Sequence, residues 1–214
     1  MIRVITIERE YGAGGAAIAK KIAARLGWKL WDEALTEEIA RRAKVDKSVV
    51  RQLDERVDSP FYRLARTFLR GSFERSLPVQ EIENFDCDSM VDMLRGVIEE
   101  AARTGNCVVV GRGSPYFLRD RADAMHLFIY APWAEKIRRV RALGKTYGEA
   151  EDLVLSIDHE HSTFIKRYFG KKWPDQTLYN LMINSRIGDE AVLEIIMSAM
   201  NVLNGSKTTS GPST

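Results

Sequence analysis

The residues best suited to chemistry lie in a glycine-rich segment near the N-terminus, Glu8-Arg9-Glu10-Tyr11-Gly12-Ala13-Gly14-Gly15-Ala16-Ala17. Backbone N–H groups in such a turn, together with the unpaired amides that open a following helix, converge into a nest of positive potential that suits a phosphate. Two motifs compete for the segment. Gly12-x-Gly14-x-x-Ala17 satisfies the dinucleotide spacing G-x-G-x-x-G/A, and Asp32 lies about 20 residues on, where an acidic side chain would meet a ribose. The other motif is the phosphate loop G-x-x-x-x-G-K-[ST]. Here Arg9 stands at its first Gly, Gly15 at its Lys and Ala16 at its hydroxyl. Glu8 to Tyr11 separate the preceding apolar run from Gly12, and that delay suits a long loop better than the immediate dinucleotide turn. The plain alternative is a tight turn that only packs a helix on a strand.

Asp158-His159-Glu160-His161 invites a metal reading. On a helix, however, residues two apart diverge by about 200°, so the two histidines cannot share an ion there. Leu153, Ile157, Phe164 and Tyr168 place His161 near the inward face and leave His159 to solvent, and no metal site is expected. Arg63, Arg66 and Arg70 recur at helical spacing and read as a solvated face, with an anion contact as the lesser reading. Trp133, Trp173 and Tyr179 read as core or hinge packing. There is no G-x-S-x-G elbow, so a serine hydrolase is unsupported.

The elements that must position these residues alternate. Ile2, Val4, Ile5 and Ile7 predict a buried parallel strand, and Ile18, Ile22 and Leu26 predict a helix over 16–26 closed by Gly27. Further strands are predicted at Trp28–Trp31, Cys107–Val110, Leu127–Tyr130 and Leu181–Ile183. Helices are predicted at 90–104, 133–143, 149–168 and from an N-cap at Asp189 to Leu203. Residues 33–89 hold helical stretches (Glu37–Ala43, Ser48–Val57, Tyr62–Phe73) without a strand, which predicts a helical insertion. This pattern is α/β: a doubly wound parallel sheet whose ligands bind outside the carboxyl ends of the strands. The turn after Ile7 and Gly111-Arg112-Gly113 after Val110 both open on that edge.

Composition narrows the classes. Of 214 residues 45% are hydrophobic, and 32 Lys+Arg against 30 Asp+Glu leave +2 with the signs interspersed. That excludes the long basic stripe of a duplex-DNA binder, so no nucleic-acid partner is expected. Cys87 and Cys107 form no C-x-x-C, and the N-terminal apolar run is too short for a signal or a span. The expectation is one cytoplasmic domain over 1–204, without a membrane partner, followed by a disordered tail over 205–214.

ITIEREYGAGGAAIAKKIAARLGWKLWD resembles the opening of the cytidylate kinase-like family, VVVGRGSPYFLRDRADAMHLFIYAP its Gly-Arg-Asp segment and next strand, and YNLMINS its last core strand. The resemblance covers about 1–32 and 90–203. It implies the fold of the P-loop nucleoside monophosphate kinases, with 33–89 as an acceptor-side insertion and about 133–170 as a basic lid and following helix. The implied activity is transfer of the ATP γ-phosphoryl to a nucleoside monophosphate, CMP or dCMP, with ATP and Mg²⁺ as cofactors and a homodimer left open. The alternatives are a degenerate kinase that binds nucleotide as a sensor or scaffold, and an NAD-dependent oxidoreductase. By the resemblance the loop Arg9, Gly12, Ala13, Gly14, Gly15, Ala16 and Ala17 holds the donor, and Arg112, Arg138 and Arg141 serve catalysis. Asp32, Arg112, Asp158 and His161 face the acceptor, Asp32 near a Mg²⁺ hydration shell. The departures are Gly15 for the Lys, Ala16 for an Arg common in the family, Ala17 for a hydroxyl, Gly113 for the Asp and His161 for an Arg.

Overall fold

The structure, a computed structural model, describes residues 1–42 and 87–206. Five strands form one parallel sheet in the order β2-β3-β1-β4-β5: β1 is Val4–Arg9, β2 Lys29–Trp31, β3 Cys107–Val110, β4 Ala124–Tyr130 and β5 Leu181–Asn184. Val4 lies opposite both Cys107 and Ala124, which puts β1 at the centre. All the strands run one way, so every loop that follows a strand emerges at the same edge. The order also bears on the competing motifs. In the dinucleotide fold β2 neighbours β1, whereas here β3 lies between them.

Alternation along the strands sends side chains to two cores. Ile5, Ile7, Val108 and Val110 pack on one face under α1 (Gly15–Leu26) and the last helix, through Ile18, Ile22, Val192 and Ile196. Val4, Cys107 and Val109 face the other side, against Val97, Ile98, Phe164 and Ile165. There the cover is α3 (Cys87–Thr104), the short α4 (Ser114–Phe117) and α6 (Tyr147–Phe169). The remaining helices are α2 (Glu33–Arg42), α5 (Trp133–Arg141) and α7 (Asp189–Ser206). Burial on both faces is why the strands read as continuous apolar runs.

Several boundaries differ from the sequence pattern. β4 begins at Ala124 rather than Leu127, because His126 enters the sheet interior by a 2.7 Å hydrogen bond to Thr6 Oγ1. α6 begins at Tyr147 because Thr146 and Glu149 form a capping box: Glu149 N–H donates to Thr146 Oγ1, and the Glu149 carboxylate accepts from Thr146 N–H at 2.7 Å. Asp189 is the first residue of α7 and not its cap; Gly188 precedes it and its carbonyl accepts from Val192 N–H. α7 runs on through Gly205 to Ser206, two residues into the expected tail. α3 starts at Cys87, ahead of Met90. The stretches Ser48–Val57 and Tyr62–Phe73, with Arg63, Arg66 and Arg70, and residues 207–214 lie outside the described residues.

Candidate active site

The glycine loop leaves β1 at Arg9 and enters α1 through Gly14, whose φ of 81° is the left-handed conformation that glycine adopts without cost. Ile18 N–H to Gly14 C=O, 3.2 Å, is the first bond of the helix. The amides of Gly15, Ala16 and Ala17 therefore have no partner within the helix and open at the strand edge, as an anion requires.

What holds the loop is charge behind it. Lys136 on α5 is buried, with Nζ 3.2 Å from Glu10 Oε2 and 3.0 Å from Asp158 Oδ2. The other Asp158 oxygen accepts from Tyr11 N–H at 2.7 Å. Burial raises the Asp158 carboxyl above its ordinary range, and the Tyr11 amide and the Lys136 ammonium oppose the rise. Arg139, one turn further along α5, donates to the carbonyl of Ala13 at 2.5 Å, to Ser185 Oγ at 3.0 Å and to Ser185 O at 3.2 Å. Its Nε donates to Glu135 at 2.9 Å. A Cβ at Gly12 would meet the Lys136 carbonyl at 2.9 Å, so the loop lies flush on α5.

The basic helix thus has two faces. Lys136 and Arg139 grip the loop; Arg138 and Arg141, about 200° round the helix, do not reach it. Arg138 is exposed and pairs with Glu135. It lines, with Arg141, Trp133 and Tyr147, a groove of about 530 Å³ on the outer side. Trp133, expected as core or hinge packing, is exposed there.

Across the edge, Arg112 sits in a turn of three consecutive left-handed residues, Gly111 (φ 66°), Arg112 (φ 57°) and Gly113 (φ 68°). A left-handed arginine costs on the order of 1 kcal/mol, and such strain gathers where a side chain must be aimed. Arg112 is buried, with Nη1 3.4 Å from the Asp32 carbonyl and 3.9 Å from Asp32 Oδ1. Burial lowers it to about 10 and the Asp32 charge opposes that, so it stays cationic at neutral pH. Asp32 is buried with it.

Glu8 is the residue that the motifs did not single out. It is a buried carboxyl near the end of the central strand, and burial lifts it to about 7 against the pull of Arg9, Trp173 and Arg112. His161 is pushed down to about 3 by burial, with Arg9 and Arg112 adding to the shift, so it is neutral at neutral pH. Its ring stands edge-on to Trp173 at 5.6 Å. Buried polar side chains gather here: among the described residues Ser114 Oγ and His161 Nδ1 find no hydrogen-bond partner, while Trp173 interacts with Glu8 and the hydroxyls of Tyr116 and Tyr179 with each other. The signal that the sequence offers is charge out of place, Glu8 inside a strand. Nothing in spacing marks Lys136 or Arg139 as loop partners.

A glycine loop on one side of a strand edge and a buried arginine on the other is a phosphate-handling layout, and the sequence pattern of the cytidylate kinase-like family matches residues 4–187. The chain belongs to that family. A cytidylate kinase of Ignicoccus hospitalis is 27% identical over 195 residues, 90% of this chain and 96% of that protein. Among solved structures, an uncharacterized protein from Eubacterium ventriosum superposes with a TM-score of 0.67 at 18% identity, covering 94% of this chain and 99% of that one. A shikimate kinase from Bacteroides thetaiotaomicron gives 0.55 at 17% identity over 94% and 99%. The cytidylate kinase-like chain therefore has a kinase-type phosphotransferase fold. No described helix is long and apolar enough to cross a membrane.

Proposed function

We propose that this cytidylate kinase-like protein moves the γ-phosphoryl of Mg-ATP to a nucleoside monophosphate, CMP or dCMP. The observation that carries the reading is the convergence, at one sheet edge, of the open amides of Gly15 to Ala17 and the buried guanidinium of Arg112. Phosphoryl transfer asks for positioning and positive charge more than for covalent chemistry. The loop from Gly12 to Ala17 holds the donor phosphates. Arg112, kept dry and aimed by its strained turn, holds the acceptor phosphate.

Ser114 Oγ and His161 Nδ1, buried without a partner among the described residues, fit a polar acceptor that completes their hydrogen bonds. Asp32 orients Arg112, and Asp158 acts from behind the loop through Tyr11 and Lys136. His161, neutral, hydrogen-bonds the acceptor instead of pairing with its charge.

For Mg²⁺ the donor set fits an outer-sphere role. Among the described residues there is no cluster of three potential ligands, and residues 16 and 17 carry no hydroxyl. Mg²⁺ keeps most of its waters, and Asp32, beside Arg112 at this edge, would hold those waters rather than the ion itself. A bound ion would supply charge neutralisation at the transferring phosphoryl.

The test is incubation with Mg-ATP and each of CMP, dCMP, UMP, AMP and GMP, with products resolved by anion exchange. A pyrimidine diphosphate is expected. Tight ATP binding with no diphosphate from any acceptor would instead establish the second reading, a nucleotide-binding sensor, which Gly15 at the lysine position favours. The strand order and the family weigh against NAD, for which the Gly12-x-Gly14-x-x-Ala17 spacing speaks.

A further inference from the structure

We propose that Arg9 replaces the missing loop lysine by positional exchange: its stem fills the space of a side chain at residue 15, and its guanidinium serves the β- and γ-phosphates. The inference rests on the ATP-dependent reading above.

Phosphate loops place Gly at the first motif position and Lys at the sixth residue after it. This chain reverses both, with Arg9 at the first and Gly15 at the second. The two changes meet in space. A Cβ built on Gly15 lies 2.8 Å from both Arg9 Cβ and Arg9 Cγ, and 3.5 Å from Cδ. Carbon atoms do not approach so closely, and the clashing atoms are the root of the arginine, which cannot swing away. A lysine at 15 and the arginine at 9 thus exclude one another.

The far end of Arg9 is placed with equal constraint. A Cβ at Gly111 would collide with the Arg9 guanidinium, so the side chain runs from the start of α1 to the turn that carries Arg112. It bridges the donor loop and the acceptor arginine. Its side chain retains 15% of its exposure, and Glu8 Oε1 lies 3.9 Å from Nη1. Guanidinium is charged at any relevant pH, and its planar fork can meet oxygens of two phosphates at once.

Arg139 is the competing cation, and its position argues against it. Its guanidinium is occupied by Glu135, Ala13 O and both Ser185 oxygens. It grips the loop at a carbonyl, and in an anion nest the amides turn toward the anion while the carbonyls turn away.

The experiment is a nucleotide titration of the full chain, followed by tryptophan emission, with Mg-ATP and with AMP, alongside the CMP turnover assay. Arg9→Ala should weaken ATP about 10- to 100-fold and leave AMP unchanged, the loss expected for one charged contact to phosphate. Gly15→Lys alone should not improve ATP binding. The exchange pair Arg9→Gly with Gly15→Lys should recover ATP binding to within a few-fold of the parent. If Arg9→Ala fails to fold by circular dichroism, Arg9→Lys against Arg9→Gln carries the same comparison, with affinity kept by the first and lost by the second. ATP affinity unchanged in Arg9→Ala, or raised by Gly15→Lys alone, overturns the proposal, as does a selective ATP loss in Arg139→Ala in place of Arg9→Ala. A parent chain that binds ATP but phosphorylates no acceptor overturns the kinase reading, and the ATP-against-AMP readout still decides on Arg9.

Discussion

The two sides of the strand edge are built on opposite terms. At the glycine loop Asp158 accepts from Tyr11 N–H and from Lys136, Lys136 also faces Glu10, and Arg139 holds the Ala13 carbonyl. Around Arg112, burial lifts the Glu8 carboxyl to about 7 and pushes His161 down to about 3, and Ser114 Oγ and His161 Nδ1 lie out of water without a hydrogen-bond partner among the described residues. On the proposed reading, a loop that holds one shape for any nucleoside triphosphate gains when its bonds are made before the ligand arrives. A pocket that must recognise a specific partner gains from bonds that only the partner completes. The difference separates what this molecule has already organised from what a ligand must organise.

The sharpest way to break that contrast is at the clamp. Lys136→Met removes the buried cation between Glu10 and Asp158 and leaves two carboxylates facing each other in a dry setting. We expect a loss of about 3–5 kcal/mol in denaturant unfolding, with nucleotide binding lost in step. Arg112→Ala should act on the acceptor side alone. Turnover with CMP should fall at least about 100-fold, roughly 3 kcal/mol of transition-state stabilisation, while ATP affinity changes little. Equal losses of both would show that the two sides are not separable.

Glu8→Gln sharpens the comparison through pH. Glu8 rises on folding from 4.5 to about 7. Below 4.5 it is protonated in both states and costs nothing. Between 4.5 and 7 the unfolded chain releases its proton first, so stability is lost as pH rises, by roughly 3 kcal/mol at most. The variant should lack that decline. His126 and His161 act in the other direction, being lowered from 6.5 to about 4 and about 3. Their contribution is complete above 6.5 and is lost as pH falls toward those values, so the Glu8→Gln chain should show a clean acid-side slope in thermal melts. The smallest effect is expected for Arg138→Ala on the outer face. Its pair with Glu135 is exposed, so stability should move by less than about 0.5 kcal/mol and ATP affinity not at all.

The central strands were legible because they are buried on both faces and must be apolar throughout; Cys107–Val110 has the same limits in sequence and structure. β4 was cut short in the pattern because His126 looks foreign to a sheet until Thr6 is seen opposite it. The glycine loop was legible for a related reason: its anion site is made of backbone, and spacing alone describes backbone. The cations of α5 look alike in sequence, although Lys136 and Arg139 belong to the loop and Arg138 and Arg141 to the outer groove. Helical periodicity separates the pairs but does not say which one faces inward.

Local physics, written in neighbouring residues, determined the strand and helix order, the open amides ahead of α1 and the glycines that let the chain turn there. Tertiary structure decided which charges meet: that Lys136 lies between Glu10 and Asp158, that Asp32 backs Arg112, and that Arg9 lies where a lysine at 15 would begin. Propensity and hydrophobic period act over a few residues. An ion pair, a buried carboxyl and a steric exclusion are properties of a place in space, and that place exists only once the sheet has brought distant segments to one edge.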